Sequence, residues 1–123
     1  MEHSPGFLKL VNQERPHVKE ITIPQALERL SENPKLVLLD VREDHEWDKS
    51  HAQQAVHLGK GIIERDLEKM FPDLDREIIM YCGGGFRSVL TAAAAQKMGY
   101  RNVFSLMGGY KAMVESRWPM NKS

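Results

Sequence analysis

Five short apolar runs, at residues 20–23, 36–40, 55–58, 78–81 and 103–106, constrain the fold of this chain more than any other feature. Several of them, "LVLLD" and "IIMY" most plainly, are apolar at consecutive positions rather than alternate ones. A strand with one face in water alternates polar and apolar residues; a central parallel strand covered on both faces has no need to. Stretches of helical period lie between the runs. Pro24 opens "PQALERLS" as a first-turn proline, with Leu27 and Leu30 three apart on one face. Ile62, Ile63, Leu67 and Met70 form a second stripe over 62–70. From Ser88, strong helix formers run to Gly99, a residue suited to the left-handed conformation that ends helices. Ala92 to Ala95 let that helix lie close against a sheet. Residues 7–13 predict a short extra helix with Phe7, Leu8 and Val11 on one side and Pro16 closing it. Alternating strands and helices predict an α/β domain on a five-stranded sheet.

A chain of 123 residues is one ordinary domain, here expected at 20–123 after an N-terminal extension at 1–19. Seventeen basic residues balance seventeen acidic ones, which leaves no large basic field for nucleic acid or an anionic membrane. No stretch has the apolar length of a signal peptide or a membrane span, so a soluble cytoplasmic protein is expected. The single cysteine, Cys82, excludes an internal disulfide and a cysteine-rich zinc site. Its role is packing or thiol chemistry.

Cys82 stands in "YCGGGFRS", between the run 78–81 and the helix expected from Ser88. Residues 82–87 are therefore a tight strand-to-helix loop at the end of a parallel sheet where ligands bind. Gly83, Gly84 and Gly85 let the backbone curl so that successive N–H groups converge as an anion-binding nest. At its rim, the Cys82 thiol would feel those dipoles, the positive end of the next helix and the charge of Arg87, all favouring thiolate. The alternative is a small buried hydrophobe beside a sharp turn. A dinucleotide site fits poorly, because the glycines only approximate its fingerprint and lie on a late strand; a phosphate-binding P-loop would need a lysine that "CGGGFRS" lacks.

With "LVLLDVREDHEW", "SHAQQAVHL", "YCGGGFRS" and "LMGGYKAM" in that order, the chain resembles a single-domain rhodanese, the thiosulfate sulfurtransferase family, over roughly residues 20–116. The resemblance implies a five-stranded parallel sheet with helices on both faces. It implies that Cys82 takes sulfane sulfur from thiosulfate or another persulfide donor and yields it to a thiol, cyanide or a protein acceptor, with no cofactor. Loop N–H groups from Gly83 to Ser88, with Phe86 and Arg87 among them, would hold the persulfide, while Asp40, Arg42 and His51 would support the site. Two other readings stay open: a persulfide carrier serving a partner protein, and an oxyanion enzyme of the cysteine phosphatase or arsenate reductase type. Four residues separate Cys82 from Arg87, one fewer than in those enzymes, and the smaller ring suits a single sulfur.

Gly83 replaces an arginine that many thiosulfate-using members carry, and Phe86 is apolar where polar residues are common. The first is expected to leave less positive charge for thiosulfate, and the second to favour a bulkier donor or a protein partner over a small dianion. Asp40 is expected to end its strand and accept hydrogen bonds from loop N–H groups, and Arg42 to pair with Glu43, Glu46 or Asp48. His45, His51 and His57 are each six apart, a spacing that does not place metal ligands on one helical face. Lys60 and Arg65 read as a solvated helix face, or as cations at the mouth of the site.

Overall fold

The computed structural model describes residues 3–122; residues 1, 2 and 123, the outer ends of the two segments expected from sequence, lie outside the described residues. Its main sheet has five parallel strands in the order β1-β6-β5-β2-β4: β1 (Lys19–Ile21), β2 (Val37–Asp40), β4 (Val56–His57), β5 (Ile78–Tyr81) and β6 (Val103–Leu106). All five apolar runs thus form the sheet, and β5, which precedes the cysteine loop, lies at its centre. Successive residues point to opposite faces. On one face Val37, Leu39, Ile78, Met80 and Val103 pack with Cys82 against α1 (Pro5–Glu14), α4 (Ile63–Met70) and α5 (Arg87–Lys97). On the other, Leu38, Ile79, Tyr81, Phe104 and Leu106 pack against α2 (Ile23–Glu32), α6 (Gly109–Glu115) and Trp118. Continuous apolarity in the strands is the consequence of having helices on both sides.

Several element ends differ from the sequence reading, each for a local reason. The first strand stops at Ile21 because Thr22 caps α2. The Thr22 hydroxyl accepts from the Gln25 N–H, and the Gln25 side chain accepts from the Thr22 N–H. Ile23 therefore starts a helix instead of ending a strand. The buried face of α2 runs through Ile23, Ala26 and Leu30, while Leu27 is 49% exposed. Only Ile63 and Leu67 of the second stripe are buried; Ile62, in a short 3-10 turn (Lys60–Ile62), and Met70 face solvent. α5 begins one residue early, at Arg87, and Gly99 follows it at φ +109. Ala92, Ala93 and Ala95 are buried against the sheet.

Among the elements with no counterpart in the sequence reading are α3 (Asp44–Lys49) and two short strands. β3 (Ser50–Ala52) pairs antiparallel with β7 (Met120–Lys122), tying the last described residues to the segment after α3. These strands are three residues each and largely polar, too short to show a period.

Leu39 is fully buried on β2 between two paired strands. Leu39→Ala is expected to lower the unfolding free energy by about 2–5 kcal/mol, read as a shift in the urea midpoint at unchanged slope.

Candidate active site

β5 delivers Cys82 to the start of a turn that ends in α5, and the turn is shaped by what lies behind it. The Tyr110 N–H donates to the Cys82 carbonyl at 2.7 Å and the Lys111 N–H to the Gly83 carbonyl at 3.0 Å. The first turn of α6 thus holds two consecutive loop carbonyls. This approach requires Gly109: at φ +51, a Cβ there would strike the Cys82 carbonyl. Gly85 is under a similar constraint, since at φ +92 its Cβ would lie 2.9 Å from the Gly108 nitrogen.

With the carbonyls tied back, loop N–H groups turn toward the sulfur. Gly85 N–H donates to Cys82 Sγ at 3.2 Å and Ser88 N–H, in the first turn of α5, at 3.3 Å. The Ser88 hydroxyl lies 3.5 Å from Sγ and 2.7 Å from the Ser105 hydroxyl, both serines being fully buried. The thiol itself thus faces the Ser88 hydroxyl as acceptor, while two backbone N–H groups donate to the sulfur on its inner side. These are the partners that a negative sulfur needs, supplied by a backbone fixed before any charge develops. On its outer side Cys82 forms part of the floor of a pocket of about 880 Å³ with Gly83, Gly84, Phe86 and Arg87.

Arg87 does not point at the sulfur as a free cation. Its guanidinium makes two hydrogen bonds to the Glu46 carboxylate, at 2.7 and 3.1 Å. Gly83 leaves room for this, because a Cβ there would lie 2.9 Å from Arg87 Nη2. Glu46 also accepts from the Glu43 N–H at 3.0 Å, so it caps α3 while clamping the loop. Hydrogen bonds from Arg87 lower its pKa from 4.5 to about 2, against the opposing effect of burial. The same carboxylate raises the Arg87 pKa.

Asp40 ends β2 and accepts from the backbone that follows it, as expected, but the side-chain pairing of Asp40 and Arg42 differs from the sequence reading. The Asp40 carboxylate takes Arg42 Nε and Nη2, the latter at 2.8 Å, and the Arg42 N–H at 2.9 Å, rather than N–H groups of the cysteine loop. Arg42 accordingly pairs with Asp40 and not with Glu43, Glu46 or Asp48. Its guanidinium also donates to the Ser50 carbonyl at 2.7 Å and lies 4.2 Å from the Tyr110 ring. The pair is almost fully buried and acts at one remove, steadying the residue whose N–H holds Cys82. Loss of either partner would leave a buried charge uncompensated. His51 stacks on Trp47 with ring centroids 3.5 Å apart, and its Nδ1 donates to the Trp47 carbonyl. It does not line the Cys82 pocket, and neither do Lys60 or Arg65.

Residue-level comparison with known proteins agrees with this architecture. A family model for the rhodanese-like domain matches residues 23–116. The chain belongs to the rhodanese-like sulfurtransferase family. It is 32% identical over 104 residues to the putative sulfurtransferase YtwF of Bacillus subtilis, covering 85% of this chain and 98% of that one. It is also 32% identical over 103 residues to the thiosulfate sulfurtransferase GlpE of Haemophilus influenzae, covering 84% of this chain and 94% of that one. Among solved structures, a protein of unknown function from Rhodopseudomonas palustris, described as a possible tyrosine phosphatase, superposes with a TM-score of 0.82 over 98% of both chains. At 23% identity that likeness speaks to the fold alone.

Glu46, Gly109 and the N-terminal residues that reach the pocket are the site residues that sequence reasoning missed as such. The glycine pair at 108–109 was the visible signal for Gly109. Glu46 lay within the quoted motif "LVLLDVREDHEW", but nothing there tied it to an arginine 41 residues away.

Two measurements test this geometry. Gly109→Ala is expected to lower the melting temperature by more than Gly61→Ala, where an added Cβ meets nothing within 4 Å. Glu46→Gln keeps a capping side chain but loses the charge. Because the native-state pKa of Glu46 lies below its ordinary value, the wild-type advantage is fully present above pH 4.5 and is lost as pH falls toward about 2. Urea titrations of the two proteins should therefore differ by a constant amount near neutrality and converge in acid; a gap that widens in acid contradicts the clamp.

Proposed function

We propose that the protein transfers sulfane sulfur through a persulfide on Cys82. The observation that carries the reading is the pair of N–H groups, from Gly85 and Ser88, that meet at Sγ on the floor of an open pocket. With thiosulfate as donor, the Cys82 thiolate attacks the outer sulfur. The S–S bond of thiosulfate breaks, its electron pair leaves with sulfite, and the cysteine carries a terminal S⁻. An acceptor nucleophile such as cyanide or a thiolate then attacks that terminal sulfur, and the thiolate of Cys82 leaves. No net oxidation occurs, no proton need move once the thiolate exists, and the order is ping-pong. In this scheme Gly83, Gly84, Gly85, Phe86, Arg87 and Ser88 hold the charged sulfur, and Asp40 and Arg42 position the loop.

The N–H donors are directed at the cysteine sulfur, and the ring between Cys82 and Arg87 is short. Both features favour a single added sulfur over a tetrahedral oxyanion. A carrier serving a partner protein would pass through the same covalent state, so acceptor kinetics distinguish it from an enzyme.

Intact mass after incubation with thiosulfate should show the gain of one sulfur atom in the wild type and none in Cys82→Ser. Cyanide should discharge it as thiocyanate. A wild-type chain that gains no removable sulfur from thiosulfate or from other sulfane donors refutes the reading, and Cys82-dependent hydrolysis of an aryl phosphate would replace it.

A further inference from the structure

The pocket over Cys82 has a wall that the family-matched segment does not supply. His3 and Phe7 lie before residue 23, where the match begins, yet both line the pocket with Phe86. α1 is anchored by Val11, fully buried in the core, and by an N-cap at Ser4 that accepts from the Phe7 N–H. This holds Phe7 in place on the helix's first turns. The His3 ring sits 4.4 Å from the Phe86 ring and 5.3 Å from the Phe7 ring, so the three form one continuous shelf beside the sulfur. A volume of about 880 Å³ far exceeds what a four-oxygen-or-smaller inorganic anion fills.

Charge around the pocket points the same way. Arg87 is engaged by Glu46 through two hydrogen bonds, so the two together add no net charge. Lys111 is the remaining lysine or arginine of the lining and has no ion pair among the described residues. One cation in a pocket that also has an aromatic shelf matches one negative charge attached to an apolar body. A compact dianion would lose hydration for both charges and leave the shelf uncovered.

We propose that this pocket takes a sulfane donor with a single negative charge and an aryl or alkyl tail, the tail lying on His3, Phe7 and Phe86. The proposal rests on the sulfurtransferase reading and names its substrate class. For a thiosulfonate, R–SO2–S⁻, the Cys82 thiolate attacks the terminal sulfur, the S–S bond breaks, and a sulfinate, R–SO2⁻, leaves with the electron pair. Cys82 is left as the same persulfide anion as before, so atoms and charge balance without a redox partner.

Benzenethiosulfonate, methanethiosulfonate and thiosulfate are the probes, with cyanide as acceptor and kcat/KM as the readout. The wild type should use benzenethiosulfonate at least about tenfold better than thiosulfate. In Phe7→Ala the benzene-to-methane ratio should fall by about tenfold, the scale of contact with one aromatic ring. His3→Ala should lower it in the same direction. Donor reactivity cancels in the change of ratio between variants, and a melting curve establishes that each variant is folded. Should Phe7→Ala not fold, His3→Ala decides the matter. A wild type that prefers thiosulfate, or variants whose ratio stays within about twofold of it, overturns the proposal while leaving sulfur transfer intact. A wild type loaded by none of the three removes the broader reading, and this one with it.

Discussion

The site depends on one close approach, that of the α6 N-terminus to the backbone after β5. Two N–H groups of α6 take the carbonyls of Cys82 and Gly83, and they can do so only because residue 109 has no side chain. A peptide group whose carbonyl is fixed has little freedom left for its N–H. The two peptide groups held in this way carry the Gly83 and Gly84 N–H groups and fix the start of the turn, and the turn that continues from them brings the Gly85 and Ser88 N–H groups to the sulfur. Preorganisation of this kind stabilises developing negative charge without reorganising at the moment of reaction. The central position of β5 adds rigidity, because the strand that delivers Cys82 is paired on both sides.

Two arginine–carboxylate pairs support this arrangement from different depths. Arg42 and Asp40 are almost wholly buried, and their geometry steadies Tyr110 and the Ser50 backbone. Arg87 and Glu46 are about a quarter exposed and link the loop to α3. The second pair has the more direct electrostatic consequence. By occupying Arg87, Glu46 turns a cation that would otherwise attract a small anion into a brace, and the absence of a side chain at Gly83 makes room for that contact.

The sheet was legible because burial on both faces leaves an unambiguous trace: consecutive apolar residues bounded by polar ones. The cysteine loop was legible because three adjacent glycines beside a lone thiol have few structural explanations. Other features left weaker traces. Thr22 shortened a strand through a capping box with Gln25, three residues on, although Thr22 itself sits inside what looked like an apolar run. Leu27 read as core because periodicity alone does not say whether Ala26 or Leu27 faces the sheet, and the small residue won where the helix approaches closely. Arg42 was expected to pair with Glu43, Glu46 or Asp48, the acids that follow it, but Asp40, two residues before it at the strand end, takes its guanidinium, and Glu46 goes to Arg87 instead. His51, a motif residue, has its ring stacked on Trp47, beside the Glu46 that braces the loop, a placement that the motif alone does not reveal.

The N-terminal helix shows how a shared scaffold can acquire selectivity without altering its reacting atoms. α1 packs mainly on α5, the helix whose first turn donates to the sulfur. Any side chain projecting from the start of α1 is therefore held at a defined distance from Cys82 by the same element that organises the nucleophile. Phe7 and His3 occupy that position and meet Phe86, itself the residue at which the loop becomes α5. Changes in this short segment alter the wall of the pocket while leaving the hydrogen bonds at Sγ untouched. On the proposal made above, α1 adds His3 and Phe7 to donor choice while the loop carries the sulfur chemistry, and Phe86, at the junction of loop and helix, belongs to both.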